Sequence, residues 1–125
     1  MQNEGDITMI RRGQERSLVC NTNMRGGGGT VSILAALEPN NGEMLGKGRL
    51  FSTITLPPGA SIGRHTHEGE AEAFLIVSGA GQYDDNGTPE TVRAGDVAYC
   101  APGQSHSVAN AGECDLVMVA LILYE

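Results

Sequence analysis

A chain of 125 residues with a formal net charge of −7 is long enough to bury one core without disulfide or metal staples, and its negative charge repels nucleic-acid phosphates. Eighteen glycines, three tyrosines, two phenylalanines and no tryptophan suit a small β-rich fold that turns often, and no apolar run is long enough for a signal peptide or a membrane span. Cys20, Cys100 and Cys114 are an odd number without a C-x-x-C pair, so they read as free, mostly buried thiols in a reducing, cytoplasmic compartment.

In chain order, residues 1–16 read as a polar, partly disordered tail or an edge strand through Ile7 to Ile10, and residues 17–125 as a single barrel domain. Ser17 to Cys20 suits a short strand. Asn21 to Gly29, with glycines at 26 to 29, reads as a flexible or left-handed loop, because no Lys-Ser/Thr and helix follow to make it a phosphate cradle. Thr30 to Leu37 is β-branched and apolar, and reads as an interfacial strand closed by a turn at Pro39 to Gly42. Arg49 to Leu56 alternates as a strand stopped by Pro57-Pro58-Gly59. Ala73 to Val77 reads as a buried strand, and Asn86-Gly87 marks a hairpin because both turn residues need positive φ. Thr91 to Arg93, Val97 to Cys100, Ser105 to Ala109 and Asp115 to Tyr124 complete the strands. No amphipathic helical period persists for three turns, which favours an all-β barrel or sandwich.

Chemistry concentrates between Gly59 and Gly79, where the chain reads G-x5-H-x-H-x4-E-x6-G. Residues two apart on a strand share a face, so His65 and His67 can aim both imidazoles at one point. Glu72, at the start of a buried strand, needs a partner, and a divalent cation shared with the imidazoles would satisfy it. A surface His-x-His beside a solvated glutamate is the plainer alternative. Against it, the remaining histidine, His106, lies in a second stretch, G-D-V-A-Y-C-A-P-G-Q-S-H-S-V-A-N from Gly95, so all three histidines fall in these two segments.

Those two stretches resemble the motifs of the cupins, small double-stranded β-helix (jelly-roll) barrels. Gly59, His65, His67, Glu72 and Gly79 match the first motif without a gap. Gly95, Gly103, His106 and Asn110 match the second, with Ala101 at its proline position and Pro102 one residue later, a shift expected to perturb the turn but not the site. The resemblance implies a metal held by His65, His67, Glu72 and His106, without naming a reaction. Oxalate-decarboxylase-like single-domain cupins are the nearest resemblance; the oxalate enzymes carry an arginine three residues before the first histidine, where this chain has Ile62, a departure that counts against oxalate chemistry.

Three imidazoles and a carboxylate suit one divalent transition ion per chain, Mn, Fe, Ni, Co or Zn, and the absence of thiolates argues against a closed structural zinc site. Four protein ligands on an octahedral ion leave two positions for a small oxygen-rich metabolite, a carboxylate or sugar derivative, which favours a metal-dependent enzyme over a non-catalytic binding or sensing module; the resemblance to cupins leaves a dioxygenase, decarboxylase, isomerase or lyase open. Arg49, as a carboxylate fork, and Tyr99, as a proton donor or pocket wall, are the candidate substrate residues. Alternation points Arg64 away from the site, Glu68 and Glu70 read as a solvated loop, and Asp96 as a turn residue. The final strand is apolar on both faces, so a homodimer is expected to cover the Val117, Val119, Leu121 and Leu123 face together with Val31 to Leu37.

Overall fold

The computed structural model of the chain describes residues 8–125. Ten strands form in chain order: β1 (Leu18–Thr22), β2 (Thr30–Ala35), β3 (Gly48–Leu56), β4 (Ser61–Thr66), β5 (Glu70–Ser78), β6 (Ala80–Asp85), β7 (Thr88–Arg93), β8 (Val97–Cys100), β9 (Ser105–Ala109) and β10 (Leu116–Tyr124). They pair antiparallel into a six-stranded sheet, β1-β2-β3-β10-β5-β8, facing a four-stranded sheet, β4-β9-β6-β7. The strand spacing suggested an all-β barrel or sandwich, and the arrangement is the double-stranded β-helix that the motif resemblance implied.

The alternating pattern explains the core. Leu116, Met118, Ala120 and Ile122 of β10 are buried between the sheets, against Ile54 and Leu56 of β3 and Phe74 and Ile76 of β5. The smaller sheet contributes Ile62, Tyr83, Val92 and Val108 to the same cluster. Each large apolar side chain buried here contributes about 1.5–3 kcal/mol. At the β6–β7 hairpin, Asn86 (φ 50°) and Gly87 (φ 102°) take the left-handed conformations that an Asn-Gly turn requires.

Several expectations are revised. Part of the edge strand proposed through Ile7 to Ile10 lies outside the described residues, and Thr8 to Arg12 form no strand. Arg11 instead makes a bidentate pair with Glu43 (2.9 Å) and donates to the Ala36 carbonyl, while Arg16 donates to the carbonyls of Leu34 and Ala35. The glycine-rich loop is packed on β4: a Cβ at Gly27 would lie 2.2 Å from the Ser61 carbonyl oxygen, and one at Gly63 would lie 2.1 Å from that of Arg25. All three cysteines are free, but only Cys100 is buried. Around Ala101–Gln104, the displaced Pro102 precedes Gly103 (φ 83°), the order a type II turn takes, and Gln104 N–H closes the turn on the Ala101 carbonyl at 3.1 Å. The proline shift therefore leaves a regular turn.

Candidate metal centre

His65 faces the barrel interior because β4 carries a bulge. Ile62 pairs with Val108 and His65 with His106, so three steps on β4 match two on β9. The extra residue lets both Ile62 and His65 point inward, while Arg64 turns out to Asp84 at 3.1 Å. His67 lies just beyond β4 and is fixed by two backbone bonds to the β8–β9 turn: its N–H donates to Gln104 O (3.1 Å), and its carbonyl accepts from Gly103 N (2.6 Å). Glu72 arrives from the opposite sheet, flanked in register by Ile122 of β10 and Cys100 of β8.

These elements bring His65, His67, Glu72 and His106 together, their ligand atoms all within 4.8 Å of one another. The three Nε2 atoms form a triangle with sides of 3.0–3.1 Å. Glu72 Oε1 is 3.0 Å from His67 Nε2, 3.1 Å from His106 Nε2 and 3.9 Å from His65 Nε2. Second partners decide the tautomers. His65 Nδ1–H donates to the Gly63 carbonyl (2.7 Å) and His67 Nδ1–H to the Glu70 carboxylate (3.0 Å), since both acceptors lack a proton to give. Their Nε2 atoms are then bare lone pairs facing each other beside a carboxylate, an arrangement that calls for a cation. At His106 the corresponding neighbour is the Tyr83 hydroxyl, 2.7 Å from Nδ1, and Phe74 stacks on the ring at 5.2 Å with planes 7° apart.

The electrostatics follow from burial and these contacts. Burial pushes the Glu72 carboxyl up, but the surrounding imidazoles of His106, His65 and His67 outweigh it and leave the group well below the usual carboxylate range. The neighbouring carboxylates of Glu72 and Glu70 raise His67 against the opposing effect of burial, whereas burial lowers His106. Arg49 holds Glu70 down at about 2, so Glu70 is an ionised acceptor for His67.

Residues 52–122 match the family described as a cupin domain. A Thermotoga maritima protein described as an oxalate-binding protein is 42% identical over 115 residues, covering 92% of this chain and 93% of its own. A crystal structure from Thermotoga maritima, of a protein described as a predicted oxalate decarboxylase, superposes with a TM-score of 0.86 at 41% identity, over 94% of this chain and 100% of that one. A cupin domain from Schizosaccharomyces pombe shares the fold with a TM-score of 0.65 at 15% identity, over 87% of this chain and 70% of that one. The chain belongs to the cupin family.

In this cupin the four donors fit a six-coordinate ion. With bonds of about 2.1 Å, adjacent corners of an octahedron lie about 3.0 Å apart and opposite corners about 4.2 Å, whereas tetrahedral donors lie about 3.4 Å apart. The cupin's five separations of 3.0–3.1 Å, with His65 and Glu72 3.9 Å apart, lie nearer the octahedral than the tetrahedral spacing, so these four residues would suit a six-coordinate ion. A cavity of about 110 Å³ meets His65, His67 and Glu72 and is walled by aliphatic side chains including Ile54, Ile62 and Ile122.

Of the candidate substrate residues, Arg49 lines this cavity, but its fork already grips Glu70, with two contacts of 2.7 Å. Tyr99 does not reach the site: Ala98 and Cys100 take the inward positions of β8, leaving Tyr99 61% exposed on the outer face. Glu70 is also reassigned, from solvated loop to the link between Arg49 and His67. Tyr83 and Phe74 are site residues that the sequence reading missed; the inward alternation of β5 and β6 was the available signal.

Proposed function

We propose that this cupin binds one divalent transition ion, Mn, Fe, Ni, Co or Zn, through His65, His67, Glu72 and His106, and acts on a small carboxylate held at the open coordination positions. The observation that carries this reading is the convergence of bare imidazole nitrogens and a carboxylate at 3.0–3.1 Å beside a small cavity. When bound, the ion supplies a Lewis acid that polarises carboxylate or carbonyl oxygens. The chain's residues orient the donors through Gly63, Glu70 and Tyr83, and the aliphatic wall keeps bulk water away. The cavity wall is largely aliphatic, with few polar groups to match the hydroxyls of a sugar, which supports a small carboxylate over a sugar derivative.

A second reading, capture of the carboxylate without turnover, draws on two observations. Apart from the donor cluster itself, the cavity lining has no side chain suited to proton transfer at neutral pH, and the Thermotoga maritima relative is described as oxalate-binding. We place either activity in the cytoplasm of a cell, in a homodimer. Metal analysis of purified protein should find close to one divalent ion per chain, with His67→Ala and Glu72→Ala losing it while circular dichroism stays β-rich. Full occupancy in the double variant would refute the site. Incubation of the loaded protein with oxalate, followed by carbon NMR, separates turnover from capture.

A further inference from the structure

The cavity beside the donor cluster has a second cationic neighbour with no assigned role. Arg25 and Arg49 both line it. Arg49 is neutralised by its bidentate pair with Glu70. Arg25 has no ion-pair partner among the described residues. The remaining wall is largely aliphatic, with Ile33, Leu50, Ile54, Ile62 and Ile122, and offers few polar partners to a ligand.

The placement of Arg25 is built into the backbone. Asn23 (φ 54°) and Arg25 (φ 55°) both adopt the left-handed conformation, which is strained for a residue such as arginine and persists where the surroundings enforce it. Enforcement comes from β4. The Arg25 carbonyl rests on Gly63 and Gly27 rests on Ser61, both approaches too close for any Cβ. Ser61 N–H donates to the Gly28 carbonyl at 2.9 Å, and Gly28 N–H donates to Ser61 Oγ at 2.8 Å. Gly63 is the same residue whose carbonyl accepts from His65 Nδ1–H. One short segment of β4 thus positions a donor histidine and seats Arg25 next to it.

We propose that Arg25 is the residue that selects an anionic ligand in this cavity: its guanidinium receives one carboxylate of a ligand whose other end reaches the donor cluster. This rests on the metal-and-carboxylate reading given above. Arg25 is an exposed residue at the rim of the cavity, where its guanidinium fork matches the two oxygens of a carboxylate. A neutral isostere would leave the charge of Arg25 without an anion, so discrimination is expected against amides of the same size.

The test uses the full chain loaded with Mn(II), titrated calorimetrically with oxalate, which has six heavy atoms, and with its neutral diamide, oxamide. The wild type should bind oxalate and reject oxamide. Arg25→Gln should weaken oxalate binding roughly tenfold to a hundredfold, the loss of one charge-assisted contact, while metal content stays unchanged. Arg25→Gly should lose the same affinity yet keep or raise Tm, because glycine adopts φ near 55° without strain. Unchanged oxalate affinity in Arg25→Gln would overturn the role of Arg25 and leave the metal reading intact. A wild type that loads Mn(II) but binds oxalate no better than oxamide would overturn selection of an anion. Loss of metal together with oxalate in Arg25→Gln would show a structural role instead and also reject the proposal.

Discussion

His106 sits between two aromatic neighbours that do different things to it. Phe74 stacks flat on the ring and fixes its plane, whereas the Tyr83 hydroxyl, 2.7 Å from Nδ1, fixes its rotation and gives the outer nitrogen a partner. Burial raises the Tyr83 hydroxyl well above its ordinary pKa, so it stays protonated and neutral. Tyr83→Phe keeps the packing and removes only that partner. Metal affinity should then fall about tenfold or more, the usual effect of deleting an outer hydrogen bond to a metal-bound histidine, with Tm little changed. Competition with a fluorescent chelator would read this; an affinity equal to wild type would mean that Tyr83 only fills space. Choosing between the tyrosines was within reach of the sequence, since Gly81 and Tyr83 are the inward positions of β6 while Tyr99 alternates with the inward Ala98 and Cys100.

At the scale of elements, strands were easier to read than their irregularities. Val97 to Cys100 and Ser105 to Ala109 form strands with the expected bounds, because β-branched alternation between turn residues leaves few alternatives. The convergence of His65, His67, Glu72 and His106 was legible from spacing and the motif resemblance. Its cause was not, since a strict period of two from Ile62 would turn His65 outward. The β4 bulge corrects the phase, and within it Gly63 packs against the Arg25 carbonyl, a contact between residues 38 positions apart in sequence. The glycine run announced a loop without revealing that the loop packs on this strand. Gly63→Ala places a Cβ 2.1 Å from that carbonyl oxygen, and backbone atoms must move to admit it. We expect a loss of about 2 kcal/mol, a drop of roughly 6–10 °C in Tm, with weaker metal binding because the His65 partner shifts too. Differential scanning calorimetry on the metal-free and loaded forms checks both effects; a variant as stable as wild type would show that the loop and the bulge are independent.

For the whole molecule, the unresolved balance is the apolar surface outside the barrel. Val31 turns out to be buried in the core, and Val117, Val119 and Leu121 are half-buried among their strand neighbours, so the face expected to drive dimerisation is partly spent within the chain. One group of exposed apolar side chains lies instead toward the β5–β8 edge of the larger sheet, where Leu75, Val77, Val97 and Tyr99 are 45–64% exposed, with Leu123 nearby on β10. A groove lined by Ala71, Ala73, Tyr99, Pro102 and Leu121 continues the same surface. Soluble monomers rarely leave so large an apolar patch in water, and β8 is also a sheet edge with unpaired backbone groups. A two-fold contact through this face would satisfy both, with on the order of 1,500 Å² buried in total. Sedimentation at micromolar concentration should therefore give twice the 13.1 kDa chain mass. Leu75→Asp and Val97→Asp lie on the outer face, so they should yield folded monomers that retain the metal, whereas Val119→Asp should disturb the dimer less. Wild-type protein sedimenting as a monomer would remove the dimer, and dissociation by Val119→Asp alone would move the interface back to the centre of β10.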